Sequence, residues 1–509
     1  MRIFQQYIKD KHKQHIHISF AYVLHWLIKS DYPKLLLILG LAFYITFIPH
    51  LDYPYPLHLD EWTHWACCNT IIDQANVTGL NNPFLGGAPL ENQIFEVGFH
   101  SFWAVFQKIS GLPWLFIFRY FPSFIFLSTI LAVYIFAKKQ GFGWEAAFFT
   151  CMIPTSVGIL GPSFLIPVAS TLPFIVLSLY IAFYSDGWRL YVLLFIFFIF
   201  LLVFHSTSAI GLLIILIPFI LINLKDNLWH SLGIFTPLIT ACLLVFLVVI
   251  PQIWSELVIP SVESLFEPNY PLLFVEIPWV ISEWGYIPAI FGLIGTFVLW
   301  VKGGVRNRGL VLGLLVLLLV LVTFYTLHYG IAEVYYRCLI YMMLVMGIVA
   351  GAGLMAIKNL KLPERLSVSL KVNKSVKYFT AAMCITVIVF TLYFAIPIRL
   401  ENNYYHMIDS EDYQGFIWIR DNIGDSYTKA ILDPWKATAF TAITGKNVYS
   451  WLSIYPQPAD EEAYKFLSGK ASNTAFLKNN GISIVYTTGE VNNPDLKEVR
   501  KHVYLLEGE

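Results

Sequence analysis

The sequence predicts a polytopic α-helical membrane protein of about eleven spans, with interfacial helices in its first outside loop and a small C-terminal α/β domain. Three observations lead there. Of 509 residues, 57% are hydrophobic and 13% charged, where a soluble globular chain carries about 25% charged residues. Apolar runs long enough to cross a hydrocarbon core recur up to residue 400. Beyond that point the composition becomes that of a soluble domain.

The same numbers exclude a disordered chain and a large soluble enzyme with an ordinary hydrated surface. Lys plus Arg equals Asp plus Glu at 33 each, so no overall field points to nucleic acid, and none is expected as a partner. Six cysteines are too few for a disulfide scaffold. Cys151, Cys242, Cys338 and Cys384 lie in apolar runs, and Cys67 and Cys68 are adjacent, so all read as unpaired packing residues.

Residues 1–33 are basic and polar around a nine-residue apolar stretch from Phe20 to Ile28. That is too short to span, and it reads as an interfacial helix on the cytoplasmic leaflet. No cleavable signal pattern follows it. The transmembrane unit is expected over 34–399, with spans near 34–50, 113–137, 144–161, 163–184, 189–205, 207–223, 231–251, 285–301, 309–327, 337–357 and 378–397. Basic residues orient it. With the N-terminus inside, the inside segments hold nineteen Lys and Arg, among them Lys138, Lys139, Arg189, Lys225, Lys302 and Arg306. The outside loops before residue 398 hold Lys108, with Arg119 and Arg337 just inside span ends. Outside loops 51–112 and 252–284 are acidic. The asymmetry puts the N-terminus in the cytoplasm and the C-terminal segment outside, as in a multi-pass protein of a prokaryotic cell membrane.

Loop 252–284 is broken by Pro260, Pro268, Pro271 and Pro278. It reads either as a membrane-dipping cover for a site or as a plain interfacial connector. From 400 to 509, helix-like runs at 412–422, 435–443, 461–467 and 474–480 alternate with strand-like runs at 429–433, 482–487 and 503–506. This predicts a small α/β domain with a partly parallel sheet.

The first outside loop carries the densest chemistry: Asp52-Tyr-Pro-Tyr-Pro-Leu-His-Leu-Asp60-Glu61-Trp-Thr-His64-Trp. Pro54 and Pro56 hold an extended approach, and Asp60 falls where an N-cap or first-turn carboxylate belongs. The helix that follows should lie at the outer interface with its Trp residues at headgroup level. A purely structural role, Asp60 capping and Glu61 favouring the helix dipole, accounts for both acids. Asp60 and His64, four apart, share a helical face and could instead share a divalent cation, Mn²⁺ or Mg²⁺. A sequon, Asn76-Val-Thr78, also lies in this loop.

Further motifs follow: Asn82-Pro-Phe-Leu-Gly-Gly, then Phe95-Glu96-Val-Gly-Phe-His100-Ser-Phe-Trp103, Gly111-Leu-Pro-Trp114 and Arg119-Tyr-Phe-Pro-Ser123. Beyond them come His205-Ser-Thr-Ser-Ala209 and Glu333-Val-Tyr-Tyr336-Arg337. With the acidic pair in the first loop, these make the chain resemble the GT-C superfamily. Those polytopic glycosyltransferases use polyprenyl-phosphate-linked sugars, and the protein-mannosyltransferase and aminoarabinose-transferase branch, archaeal members included, is the nearer one. The Trp-Trp-Asp signature of the oligosaccharyltransferase branch is absent.

The resemblance implies an inverting transfer from the lipid donor to a lipid, glycan or protein acceptor outside the cell. Asp60 would be the base, with Glu61 orienting the acceptor or helping to bind a cation. A leaving phosphate needs a fixed cation, for which Arg337 is the first candidate and Arg119, His205 and Tyr336 follow. His100 and Glu96 would position the acceptor. Each has a structural alternative: Arg119 snorkelling to headgroups, the histidines satisfied at helix ends. Two other classes remain open at this level, a transporter or flippase and a non-catalytic assembly subunit. Midplane charges and inverted repeats of broken helices, which a transporter would favour, are not visible in the sequence.

Overall fold

The computed structural model describes residues 30–77, 79–86, 96–156, 158–185, 187–249, 259, 268, 274–360, 370–402, 406–452 and 457–507. The N-terminal interfacial helix, Thr78 of the sequon and most of loop 252–284 therefore lie outside the described residues.

The chain enters through α1 (Asp31–Phe47), capped by the Ser30 side chain, and continues into two helices of the first loop, α2 (Leu59–Gln74) and α3 (Val97–Ser110). The bundle continues with α4 (Trp114–Lys138), a short α5 (Gly143–Thr150), α6 (Pro167–Tyr184), α7 (Trp188–Phe204), α8 (Ser206–Asp226) and α9 (Leu228–Leu244). After the second loop, α10 (Ile277–Trp284) turns by 101° into α11 (Tyr286–Lys302). Gly285 makes that turn, its φ of +111° being open to glycine. Then come α12 (Val305–Leu327), α13 (Ala332–Lys358) and α14 (Leu370–Glu401).

Eight of these helices are long and apolar enough to cross a membrane, or nine if the bent pair is one span, and the 17-residue α7 is a shorter apolar helix. The expected span 144–161 is not a helix of spanning length. It is helical only as far as Thr150 and then runs irregularly through Pro154 and Pro162. Non-helical backbone at this depth must be buried in protein and hydrogen-bonded there. The buried Arg399 guanidinium donates to the Met152 carbonyl at 2.5 Å, and the Asn402 amide to Thr155 at 3.0 Å. The segment delivers Leu165 to the first loop, so the connectivity works as if a span were present.

Helix α13 is the axis of the bundle, buried along nearly its whole length. Small residues allow close approach: a Cβ on Gly295 of α11 would stand 1.9 Å from the Val349 carbonyl oxygen, and one on Gly351 would stand 2.4 Å from the Ala146 nitrogen of α5. The last stretch of α14 is largely exposed, as a lipid-facing helix would be.

The C-terminal domain comprises α15 (Ser410–Asn422), β1 (Lys429–Ile431), α16 (Pro434–Thr444), β2 (Asn447–Val448), α17 (Pro458–Ser468), α18 (Thr474–Asn479), β3 (Ile484–Tyr486), β4 (Leu496–Arg500) and β5 (Val503–Leu506). Its sheet order is β2-β1-β3-β5-β4, parallel from β2 to β3 and antiparallel beyond. The partly parallel sheet and its helices match the sequence pattern; the short β2 and polar β4 lacked an apolar run to announce them. None of the six cysteines forms a disulfide.

The domain is docked on the loop between α1 and α4. The Tyr53 hydroxyl donates to the Ile408 carbonyl, the Asn69 amide to Ala442, and the Val448 amide to Phe84, whose ring stacks on Trp451. Asn82 of the Asn-Pro-Phe-Leu-Gly-Gly stretch accepts from the Phe84 and Leu85 amides, shaping the turn that receives the domain. Covered in this way, α2 turns its Trp side chains into protein. Trp62 and Trp65 are buried and stacked at 5.2 Å, whereas headgroup-level rings were expected.

Candidate functional site

The site is assembled where the start of α2, the start of α3 and the outer ends of three bundle elements converge. Pro54 and Pro56 lead an extended strand into α2, and His58, in β conformation, is the N-cap: its Nδ1 accepts from the Asp60 amide at 3.1 Å. Asp60 is thus a first-turn residue and not the cap. Its carboxylate lies 3.7 Å from His58 and keeps 29% of its side chain exposed, open to a substrate.

Glu61 behaves differently. It is fully buried, and its two oxygens accept from the Leu57 and Leu165 amides, each at 2.7 Å. It therefore ties the first loop to the irregular segment before α6 and has no oxygen turned to a substrate. Burial pushes its carboxyl up to about 8 despite those amides.

His64 turns away from Asp60. Its Nδ1 meets Nε2 of His100 at 2.9 Å and lies 3.7 Å from Glu96. Helix α3 makes this possible, with Glu96 at its N-cap and His100 one turn on. Burial holds His64 well below the ordinary imidazole range and brings His100 down to about 4, so both rings are neutral at pH 7. Burial raises Glu96 to about 7, with the Arg337 charge working against it. The ligand atoms of His64, Glu96 and His100 all lie within 4.8 Å of one another and could hold a metal ion. Neutral imidazoles with one carboxylate suit Zn²⁺ or Mn²⁺ better than Mg²⁺. The grouping is His64 with Glu96 and His100, where the sequence paired His64 with Asp60.

Arg337 sits one turn into α13, half-buried. Its charge acts on His58, His64, Glu96 and His205 together. The neighbouring Tyr335 is clamped: its hydroxyl donates to the Val275 carbonyl at 2.5 Å and its ring stacks on Phe274 and Phe324. The stretch leading into α10 is thereby fixed against the start of α13, and Tyr336 packs edge-on against Tyr335.

His205 joins α7 to α8 and is buried, its Nδ1 2.6 Å from the Ser208 hydroxyl. Ser208 in turn contacts Thr171 and Tyr341 at 2.6 and 2.5 Å. Sequence reasoning missed this hydroxyl chain and also His58, whose position two residues before Asp60 was the available signal. Arg119 stands apart. It donates to the His50 carbonyl at 3.1 Å and lies over the Phe47 and Tyr120 rings, and none of these contacts involves the histidine cluster.

No family model matches the sequence, and no curated protein matches it. Solved structures do. The Archaeoglobus fulgidus oligosaccharyltransferase tethered to an acceptor peptide with an NVT sequon is 12% identical, with TM-score 0.56 over 91% of this chain and 70% of that one. The same protein is matched in a complex with Zn and sulfate. ArnT from Cupriavidus metallidurans, bound to undecaprenyl phosphate, is 12% identical with TM-score 0.57 over 94% of this chain and 98% of its own. The mycobacterial arabinofuranosyltransferase AftD is 14% identical with TM-score 0.54 over 92% of this chain and 37% of its own. At these identities the likeness is one of fold and does not separate the branches. The chain is a multi-pass membrane protein with the fold of the GT-C superfamily of glycosyltransferases.

Proposed function

We propose that this protein is a membrane glycosyltransferase. It moves a sugar from a polyprenyl-phosphate donor to a glycan, lipid or protein acceptor on the extracytoplasmic face, with inversion at the anomeric carbon. The observation that carries the reading is an open carboxylate, Asp60, and the Arg337 guanidinium both acting on His58, in a fold shared with a protein solved bound to undecaprenyl phosphate. Asp60 takes the proton of the acceptor hydroxyl as its oxygen attacks, and the bond to the donor phosphate breaks. Arg337 holds the departing phosphate by a charge-assisted pair. Glu61 acts at one remove, fixing the loop that presents Asp60.

His64, Glu96 and His100 fit a divalent cation, which when bound would supply positive charge next to the phosphate. The buried, neutral state of the two imidazoles is the state that ligates. The charge asymmetry of the loops supports a cytoplasmic N-terminus and an external site.

The test uses purified protein in liposomes. Replacing Asp60 by Asn should lower transfer by about 10²–10⁴, the range of general-base loss, while undecaprenyl phosphate still raises the thermal midpoint. Arg337→Ala should abolish that rise. Near-normal transfer by Asp60→Asn, with undecaprenyl phosphate binding intact in Arg337→Ala, refutes the assignment. Exhaustive EDTA treatment should depress transfer, and Mn²⁺ or Zn²⁺ should restore it; transfer unchanged by EDTA removes the metal and leaves Asp60 and Arg337.

A further inference from the structure

A cavity of about 550 Å³ lies away from this site. It opens between the C-terminal ends of α4, α6, α8 and α11 and the start of α12. Helix α6 begins just after Leu165, the partner of Glu61, and helix α8 begins just after His205. The cavity therefore lies at the far end of the bundle, about 27 Å away along the 18 residues of α6.

Its chemistry is one-signed. Lys139, Lys302 and Arg306 line it, no acidic residue does, and none of the three makes an ion pair among the described residues. The Lys302-Gly303-Gly304 turn bends into α12 with both glycines at positive φ, +68° and +84°. No side chain caps the first-turn amides of that 23-residue helix, and a Cβ on Gly304 would meet nothing within 4 Å. Amides and the positive helix end thus face the same space as the three cations. Gln140 donates to the Tyr184 hydroxyl at 2.7 Å, and its other amide atom is buried with no partner. A half-turn of that amide would let Tyr184 donate to it and present an NH₂ to the cavity. Phe183, Phe219 and Tyr184 close the apolar side, with Arg306 lying 5.1 Å over the Tyr184 ring. Nearby on the same face, Trp188 and Trp229 are exposed at the helix starts, the position of interfacial anchors. The cavity is therefore at headgroup depth.

We infer that this cavity, at the end of the bundle remote from the candidate active site, binds a phosphate ester. The phosphate is held by Lys139, Lys302, Arg306 and the start of α12. The volume exceeds what phosphate alone would fill and leaves room for a polar headgroup, so the source is either an anionic lipid of the adjacent leaflet or a soluble phosphate ester. The inference is independent of the proposed transferase activity.

Native mass spectrometry of the delipidated full chain in detergent tests it, with phosphatidylglycerol as the lipid probe, diacylglycerol as its phosphate-free control and glycerol 3-phosphate as the soluble probe. A Lys139→Gln/Lys302→Gln/Arg306→Gln variant should bind the lipid about a hundredfold more weakly, from roughly fivefold per basic residue at a headgroup. An Arg189→Gln/Lys225→Gln variant, which removes charges on the same face outside the cavity, should bind as the parent does. If the triple variant fails to fold by its thermal midpoint, Lys302→Gln alone should show about fivefold weakening on the same scale. Lipid retained against excess glycerol 3-phosphate identifies a lipid site; displacement, or binding of glycerol 3-phosphate alone, identifies a soluble phosphate ester. Failure of both phosphate probes to bind overturns the inference, and so does retention no better than that of diacylglycerol. Equal weakening by the two multiple variants overturns it as well.

Discussion

Adjacent carboxylates at the start of one helix have separated into two environments. Asp60 stays open to solvent, while Glu61 is sealed under it and holds the Leu57 and Leu165 amides. The consequence is measurable through pH. Burial raises the Glu61 carboxyl from 4.5 to about 8, so the folded protein holds that proton more tightly than the unfolded chain. Stability from this group is complete below about 4.5 and is lost as pH rises through about 8. A Glu61→Gln variant lacks that slope. It should melt lower than the parent at acid pH, because one of the two amides loses its acceptor, at a cost of about 1–3 kcal/mol. The gap should narrow as pH rises from 5 to 8. Thermal unfolding followed across that range checks it, and a gap constant with pH refutes the burial argument. The sequence singled out Asp60, Glu61, His64, Glu96, His100, His205 and Arg337 as candidates. It did not show which of them meet, because His64 and His100 are 36 residues apart and only the packing of α2 on α3 brings them to 2.9 Å.

Most spans were legible as elements because each is an uninterrupted apolar run between basic or glycine-containing ends. Residues 144–161 were not. Their composition is as apolar as a span, and the difference lies in Pro154, Pro162 and the distant Arg399 and Asn402 that satisfy the freed carbonyls. Periodicity carries no record of such partners. Small residues in α11 and α13 were equally silent, although they set the closest helix pair. Gly295 leaves no room for a methyl group against the Val349 carbonyl, 1.9 Å from its would-be Cβ, and Gly353 stands 2.5 Å from the Phe291 oxygen on the same measure. Gly295→Ala should therefore push the two helices apart and cost about 1–3 kcal/mol, the usual range for overpacking. Gly40→Ala in α1, where a Cβ would meet nothing within 4 Å, should leave the midpoint unchanged or raise it slightly. Thermal midpoints of the two variants in one detergent decide the point; equal midpoints would show that α11 and α13 are not in register as described.

At the scale of the whole molecule, polar function is gathered at the two ends of an apolar bundle. One end holds the carboxylates, the histidine cluster and the docked α/β domain, and the other holds the basic cavity. The proposed orientation rests on charge. Lys138, Lys139, Arg189, Lys225, Lys302 and Arg306 all lie at the end remote from Asp60, where the positive-inside bias retains basic loops. The broken segment at 143–166 keeps this assignment consistent, because it still carries the chain from Lys139 at one end to Leu165 at the other. Arg399 and Asn402, which hold that segment, are also the last residues before the C-terminal domain, so domain and site are on one side of the bundle. Ser426 is exposed on that domain, in the turn between α15 and β1. A Ser426→Cys variant should react with a membrane-impermeant maleimide in intact cells. The six native thiols, five of them buried and Cys242 half-buried in α9, should give little background. Labelling that appears only after the cells are opened would invert the whole arrangement. It would move Asp60 and Arg337 to the cytoplasm and leave the basic cavity facing out, against the charge bias from which the orientation was argued.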